Sequence, residues 1–115
     1  MLTVNDVLHL PVVQAADPQV LCAAGMDAQL RWVHVTESTE NIDLLLGREL
    51  ILTTLRNVSD VRAFITALRE AGAVGVIIED LSGAELDVAD LGLPVIALRT
   101  TTRFVSITEV IHQNS

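Results

Sequence analysis

Six polar side chains that can donate or accept hydrogen bonds stand at or near the predicted carboxyl ends of apolar segments. They are His34, Thr36, Glu37, Thr53, Thr54 and Arg99. In open parallel sheets, ligands bind outside the carboxyl ends of the strands. We therefore predict that these side chains line one small cleft that takes a small polar metabolite, with Glu79 beside them and Val and Ile side chains forming its floor.

The segment "RWVHVTES", residues 31–38, contains the one tryptophan of the chain. Its alternation places Val33 and Val35 on one face of a strand and Trp32, His34 and Thr36 on the other. In the more frequent arrangement, Trp32 packs against a helix and His34 hydrogen-bonds to a neighbouring loop. The alternative is that His34 contacts the ligand.

Catalytic and metal chemistry have weaker support in the sequence. His34 beside a strand-end threonine is the best candidate base and nucleophile, but structural hydroxyls are commoner at strand ends, so no catalytic residue is predicted. His9, His34 and His112 lie too far apart for a local metal motif, and Cys22 is alone. Cys22 is therefore expected to be a structural thiol. No glycine-rich phosphate or dinucleotide loop is present, and no metal or cofactor is predicted.

Length and charge restrict the class of protein. The chain has 115 residues, half of them hydrophobic, and 15 acidic residues against 7 basic ones, all arginine, for a formal net charge of −8. One domain spanning residues 1–115 is expected, and its negative charge opposes binding to DNA. The sequence has no apolar run long enough to cross a bilayer, and its N-terminus lacks the pattern of a signal peptide. A cytoplasmic protein without a membrane partner is therefore expected.

Helix and strand patterns alternate along most of the chain. Thr3 and Asp6 predict a capped helix that ends at Pro11, and a weak strand signal follows at residues 20–23. The later predictions are a strand at 31–36, a helical turn in "ESTENIDLLL", a strand in "ELILTT", a helix from Ser59 to Gly72, a strand in "AVGVIIED", a short acidic helix or turn in "GAELDVADLGL", a strand in "PVIALR" and a helix in "FVSITEVIHQ". This order predicts an α/β fold with a mainly parallel sheet flanked by helices.

Several of these segments, in order, resemble the N-terminal domain of the purine catabolism regulator (PucR-like) family. The most specific are "RWVH" followed by a hydroxyl and Glu37, "GRELILTT", and the closing "FVSITEVI". The resemblance covers nearly the whole chain. It implies a regulatory module of a transcription factor whose DNA-binding helix-turn-helix lies in a separate C-terminal domain, so that this chain would be a module of a longer regulator. Purine-degradation intermediates such as allantoin are the ligands that this resemblance suggests, and a uric acid or allantoin-like molecule would fit the donors and acceptors of the predicted cleft.

One residue departs from the family pattern. Family members commonly continue the third segment as T-T-G, whereas this chain has Leu55 after Thr54. A side chain there is expected to alter the loop over a pocket. The leading hypothesis is thus a non-enzymatic, small-molecule-sensing domain that forms a homodimer. The alternatives are an oligomerisation module without a ligand and, third, a small hydrolase or transferase.

Overall fold

A five-stranded sheet organises the chain. The computed structural model describes residues 1–40 and 42–114. Strands β2 to β5 are parallel to one another and follow the chain order across the sheet, and β1 pairs antiparallel with β5 at the far edge. The strands are β1 (Pro18–Cys22), β2 (Trp32–Val35), β3 (Glu49–Thr53), β4 (Gly75–Glu79) and β5 (Val95–Leu98). The predicted α/β fold with a mainly parallel sheet is confirmed.

The helices are α1 (Val4–Leu8), α2 (Pro11–Gln14), α3 (Val61–Glu70) and α4 (Phe104–Gln113). Thr3 caps α1 as predicted: its backbone N–H donates to the Asp6 carboxylate at 2.8 Å, and its hydroxyl accepts from the Asp6 N–H at 3.1 Å. The first of these hydrogen bonds lowers the pKa of Asp6. Pro11, expected to end this helix, instead begins α2, because proline is well tolerated in a first helical turn. Among the described residues, no helix has both the length and the apolar character to cross a membrane.

The sheet separates two apolar cores. Leu50 and Leu52 of β3 pack with Val4, Val7, Ile107 and Ile111 on the side of α1, α2 and α4. Ile51, between them in the strand, packs with Phe64, Ile65 and Leu68 of α3 on the other side. All five residues of β3 are buried, because both faces of this central strand are covered.

Helix α3 begins and ends one residue away from the predicted caps. Asp60, not Ser59, is the N-cap, and its carboxylate accepts from the Ala63 N–H at 3.1 Å. Gly72 follows the last turn with φ +101°, and a Cβ there would lie 2.9 Å from the Cα of Gly47. A glycine is therefore required at this position by both backbone conformation and close approach.

The connection between β4 and β5 differs from the one between β2 and β3. Between β4 and β5, the segment predicted as an acidic helix or turn forms turns without a helix. Arg62 of α3 holds it through two hydrogen bonds to the Asp90 carboxylate, at 2.6 and 3.0 Å, and these lower the pKa of Asp90. Between β2 and β3, residues Ile42–Leu44 form a 3₁₀ helix where a helical turn was predicted, and Asn41 of that prediction lies outside the described residues.

Candidate functional site

An open cavity of about 380 Å³ lies at the carboxyl ends of β3 and β4. Residues after β3 form one wall, and the end of β4 with the start of the following turn segment forms the other. The lining residues are Thr54, Leu55, Arg56, Glu79, Asp80, Leu81, Ser82 and Leu86. The position is the one expected for a ligand site in a parallel sheet.

Two of the predicted site residues meet beside this cavity. The Thr54 hydroxyl donates a hydrogen bond to Oε1 of Glu37 at 2.9 Å. Thr54 directly follows β3, and Glu37 lies two residues beyond β2, so the contact ties the ends of neighbouring parallel strands together. It also fixes the position of the Thr54 side chain at the cavity wall.

Arg99 reaches the same cavity through Asp80. Its Nη1 lies 3.0 Å from Oδ2 of Asp80, and their side chains are only 18% and 10% exposed. The other side of the guanidinium donates to Oε1 of Gln19 in β1, at 2.7 and 3.1 Å. Oδ1 of Asp80 accepts from the backbone N–H of Ser82 at 3.1 Å and its hydroxyl at 2.6 Å. Asp80 is therefore held rigidly in the cavity wall from both sides.

Of the six predicted residues, only Thr54 lines this cavity itself; besides Glu37 and Arg99, which contact its wall, Thr36, Thr53 and His34 also lie outside the lining. The Thr36 hydroxyl donates to the carbonyl oxygen of Ser38 at 2.9 Å, and the fully buried Thr53 accepts from the Leu55 N–H at 3.5 Å. Both hydroxyls serve the turns that follow their strands. His34 lines a separate cavity of about 340 Å³ with Leu44, Leu46 and Glu49.

The arrangement around Trp32 agrees with packing against a helix. Its ring stacks on that of His112 in α4, with the ring centroids 4.7 Å apart, yet 56% of the residue is exposed. No hydrogen bond of the His34 side chain occurs within residues 1–40 and 42–114, so the expected bond to a neighbouring loop is not seen.

Residues that sequence reasoning did not include are Arg56, Asp80 and Ser82. Asp80 directly follows β4, as Thr54 follows β3, so its place in the chain carried the same signal as the predicted residues. Ser82 lies between the predicted strand "AVGVIIED" and the segment "GAELDVADLGL", where no periodic pattern indicates how the chain turns. Around the cavity, the carboxylates of Glu79 and Asp80 and the hydroxyls of Thr54 and Ser82 offer mainly hydrogen-bond acceptors, with Arg56 as a cationic donor.

Glu79 is held as well, because its Oε2 accepts from the backbone N–H of Thr102 at 3.2 Å.

Within the described ranges, no three His, Cys, Asp or Glu side chains lie together as metal ligands. Cys22 is buried and unpaired with another cysteine, in agreement with a structural thiol.

Comparison with known proteins gives a family match over almost the whole chain. The model of the purine catabolism regulatory protein-like family matches residues 6–114. Neither the curated proteins nor the solved structures include a significant match. The match agrees with the resemblance of the "RWVH", "GRELILTT" and "FVSITEVI" segments. The chain belongs to the purine catabolism regulatory protein-like family, a family of regulators.

Proposed function

We propose that this domain senses a small metabolite on behalf of a transcription regulator of the purine-catabolism type. The observation that carries the proposal is the open cavity at the ends of β3 and β4, with a floor of buried strands and a rim of held polar groups. Family membership supports a regulatory role in place of an enzymatic one. In this proposal the domain works in the cytoplasm, and a separate domain contacts DNA.

The chemistry of the rim favours a neutral molecule with several N–H donors. Glu79 and Asp80 present carboxylate oxygens beside the hydroxyls of Thr54 and Ser82, whereas Arg56 is the basic residue of the lining. An anion would meet repulsion from the two carboxylates and from a chain of net charge −8. A cyclic ureide such as an allantoin-like molecule, rich in N–H groups, fits better than an anionic purine.

Thermal unfolding with a panel of ureides and purines tests the proposal. A ligand at about 100 times its dissociation constant adds roughly 2.7 kcal/mol to the free energy of unfolding. For a domain of this size, the melting temperature should then rise by on the order of 10 °C. All measurements should be made at one pH and in one buffer.

Two variants locate the site. Thr54→Val removes the hydroxyl at the cavity wall, and Arg99→Ala removes the guanidinium that holds Oδ2 of Asp80, so each is expected to abolish the shift while the unliganded domain stays folded. Thr108→Val is the matched control, because its hydroxyl bonds only to the Val105 carbonyl oxygen within α4. A panel that leaves the melting temperature unchanged, or a shift that survives both site variants, would contradict a sensor at this cavity.

A further inference from the structure

The two edges of the sheet are built differently. Strand β1 opens with Pro18 and has an irregular register between Val20 and Cys22, both of which discourage pairing with another strand. Strand β2, "WVHV", has no proline, no lysine and an unbroken register with β3. Within the described part of the chain, β3 is the only strand that pairs with it. The β2 edge is therefore open to a further strand.

The hydrogen-bonding groups on this edge can be assigned. The Thr36 N–H donates to the Leu52 carbonyl oxygen at 3.0 Å, and His34 stands opposite Ile51 in the parallel register. Because backbone groups alternate in direction along a strand, the N–H and C=O groups of Val33 and Val35 point away from β3. These four groups are the ones that an added strand would bind.

We infer that β2 pairs antiparallel with β2 of a second copy of this chain, so that the two sheets become continuous across a twofold axis. Identical strands related by such an axis run antiparallel. With the axis at His34, Val33 of each copy stands opposite Val35 of the other and exchanges both hydrogen bonds with it. All the outward groups of β2 are then satisfied.

Charge selects this register. Arg31 lies just before β2, where its backbone N–H donates to the Arg48 carbonyl oxygen at 2.8 Å, and Glu37 lies two residues after β2. With the axis at His34, the arginine of each copy lies at the same end of the paired strands as the glutamate of the other, within reach of its long side chain. Arg31 has no hydrogen bond or ion pair of its side chain among the described residues, and Oε2 of Glu37 is left open by the Thr54 contact. An axis at Val33 or Val35 places Arg31 opposite Val35 or Thr39 and loses both charge pairs.

The surface around the edge is apolar enough for an interface. Trp32 is 56% exposed and Val35 49%, although both belong to a strand. Leu44 and Leu46, at 64% and 75%, flank the cavity that lies beside Trp32 and His34. Exposed large side chains clustered at an unprotected edge are typical of a contact surface between proteins.

Cross-linking tests the register directly. In the proposed dimer the two His34 residues form a non-hydrogen-bonded pair with Cα atoms about 4.5 Å apart, within disulfide range. His34→Cys is expected to give a disulfide-linked dimer under mild oxidation, since the native Cys22 is buried. Val35→Cys is the control, because its two copies would lie roughly 8 Å apart, beyond that range. Cross-linking of the control alone would overturn the register.

Sedimentation velocity tests the association without a new thiol. The chain of 12.4 kDa should sediment as a dimer. Val35→Pro deletes an outward N–H that β3 does not use, and Arg31→Glu faces Glu37 with a like charge, so each is expected to raise the dissociation constant at least about tenfold. Arg103→Glu makes the same charge change at an exposed residue before α4 and should remain dimeric.

Circular dichroism should show that the variants are folded. A wild-type chain that stays monomeric at the highest concentration that sedimentation velocity can measure would overturn the inference. An Arg31→Glu variant as dimeric as Arg103→Glu would overturn it too. Neither result bears on the metabolite proposal, because the association is measured without a ligand and the melting-temperature test does not require a dimer.

Discussion

At the residue scale, Glu49 at the start of β3 shows how a carboxylate is accommodated in a buried place, because the residue is only 5% exposed. Its two oxygens accept from the backbone N–H groups of Leu46, at 2.6 Å, and Gly47, at 2.8 Å. These donors belong to the turn that leads into the strand. The charge is tolerated in a buried place because both oxygens are satisfied.

Glu49→Gln should therefore destabilise the domain, although it nearly preserves the shape of the side chain. The amide has one acceptor oxygen, so one of the two N–H donors would face an NH₂ group, at a cost of about 1 to 3 kcal/mol. Urea unfolding measures the loss. Glu70→Gln, at an exposed position in the last turn of α3, is the control and should change stability by less than about 0.5 kcal/mol.

Leu55 shows what a single residue could and could not reveal from sequence. It stands where the family commonly has glycine, and its φ is +61°, a left-handed conformation that costs a residue with a Cβ roughly 1 to 2 kcal/mol. The departure from the pattern therefore located a real backbone constraint at the cavity wall. Arg48, with φ +63°, has the same conformation without any such signal in the sequence.

At the element scale, α3 packs through one face onto β3 and β4, and Phe64 is its largest buried side chain. Phe64 is 4% exposed and contacts the core that includes Ile51 and Ile78. Phe64→Ala should lower the free energy of unfolding by about 3 to 5 kcal/mol, since it leaves a cavity under the helix. Chemical denaturation would measure this, with Glu70→Ala as the control for a change on the exposed face. A loss below about 1 kcal/mol would contradict the assigned packing.

The elements that could be predicted are those with an uninterrupted period. Strands β3 and β4 are continuous apolar runs, and Phe64, Ile65 and Leu68 repeat at helical spacing. The segment between β4 and β5 could not be resolved as turn or helix, because tertiary contacts decide it. Arg62 holds the Asp90 carboxylate, and Arg69 donates to the Leu91 carbonyl oxygen at 2.7 Å.

The candidate site was predictable in its position and only partly in its members. The rule of strand ends located Thr54, Glu37 and Arg99. Thr54 and Glu37 hydrogen-bond to each other, and Arg99 contacts Asp80 of the cavity wall. His34 lies one residue before the end of β2 and turns toward Leu44 and Leu46, a direction set by the fold of the β2–β3 connection. Gln19, which fixes Arg99 from 80 residues away in the chain, lies in β1 just before the residues 20–23 that carried the weak strand signal.

At the scale of the whole molecule, charge predicts behaviour toward nucleic acid. With 15 acidic and 7 basic residues, the domain would have to approach a polyanion against its own field. The chain alone should therefore show no gel shift with DNA at micromolar concentrations and physiological salt, because it lacks the counterion release that supplies non-specific affinity. Micromolar binding under those conditions would mean that a local basic surface outweighs the net charge.

The pairing of β1 with β5 has a consequence for the order in which the chain folds. In the described residues, the other three pairings join strands consecutive in sequence, whereas Pro18 pairs with Leu98, far along the chain. Closing so long a loop costs more entropy than closing the short ones, although the cost grows only as the logarithm of length. Contacts of high sequence separation form late as a rule. The β2–β5 sheet with α3 would thus be the folding nucleus, and the N-terminal segment, with the Gln19 contact that steadies Arg99, would complete the site in the final step.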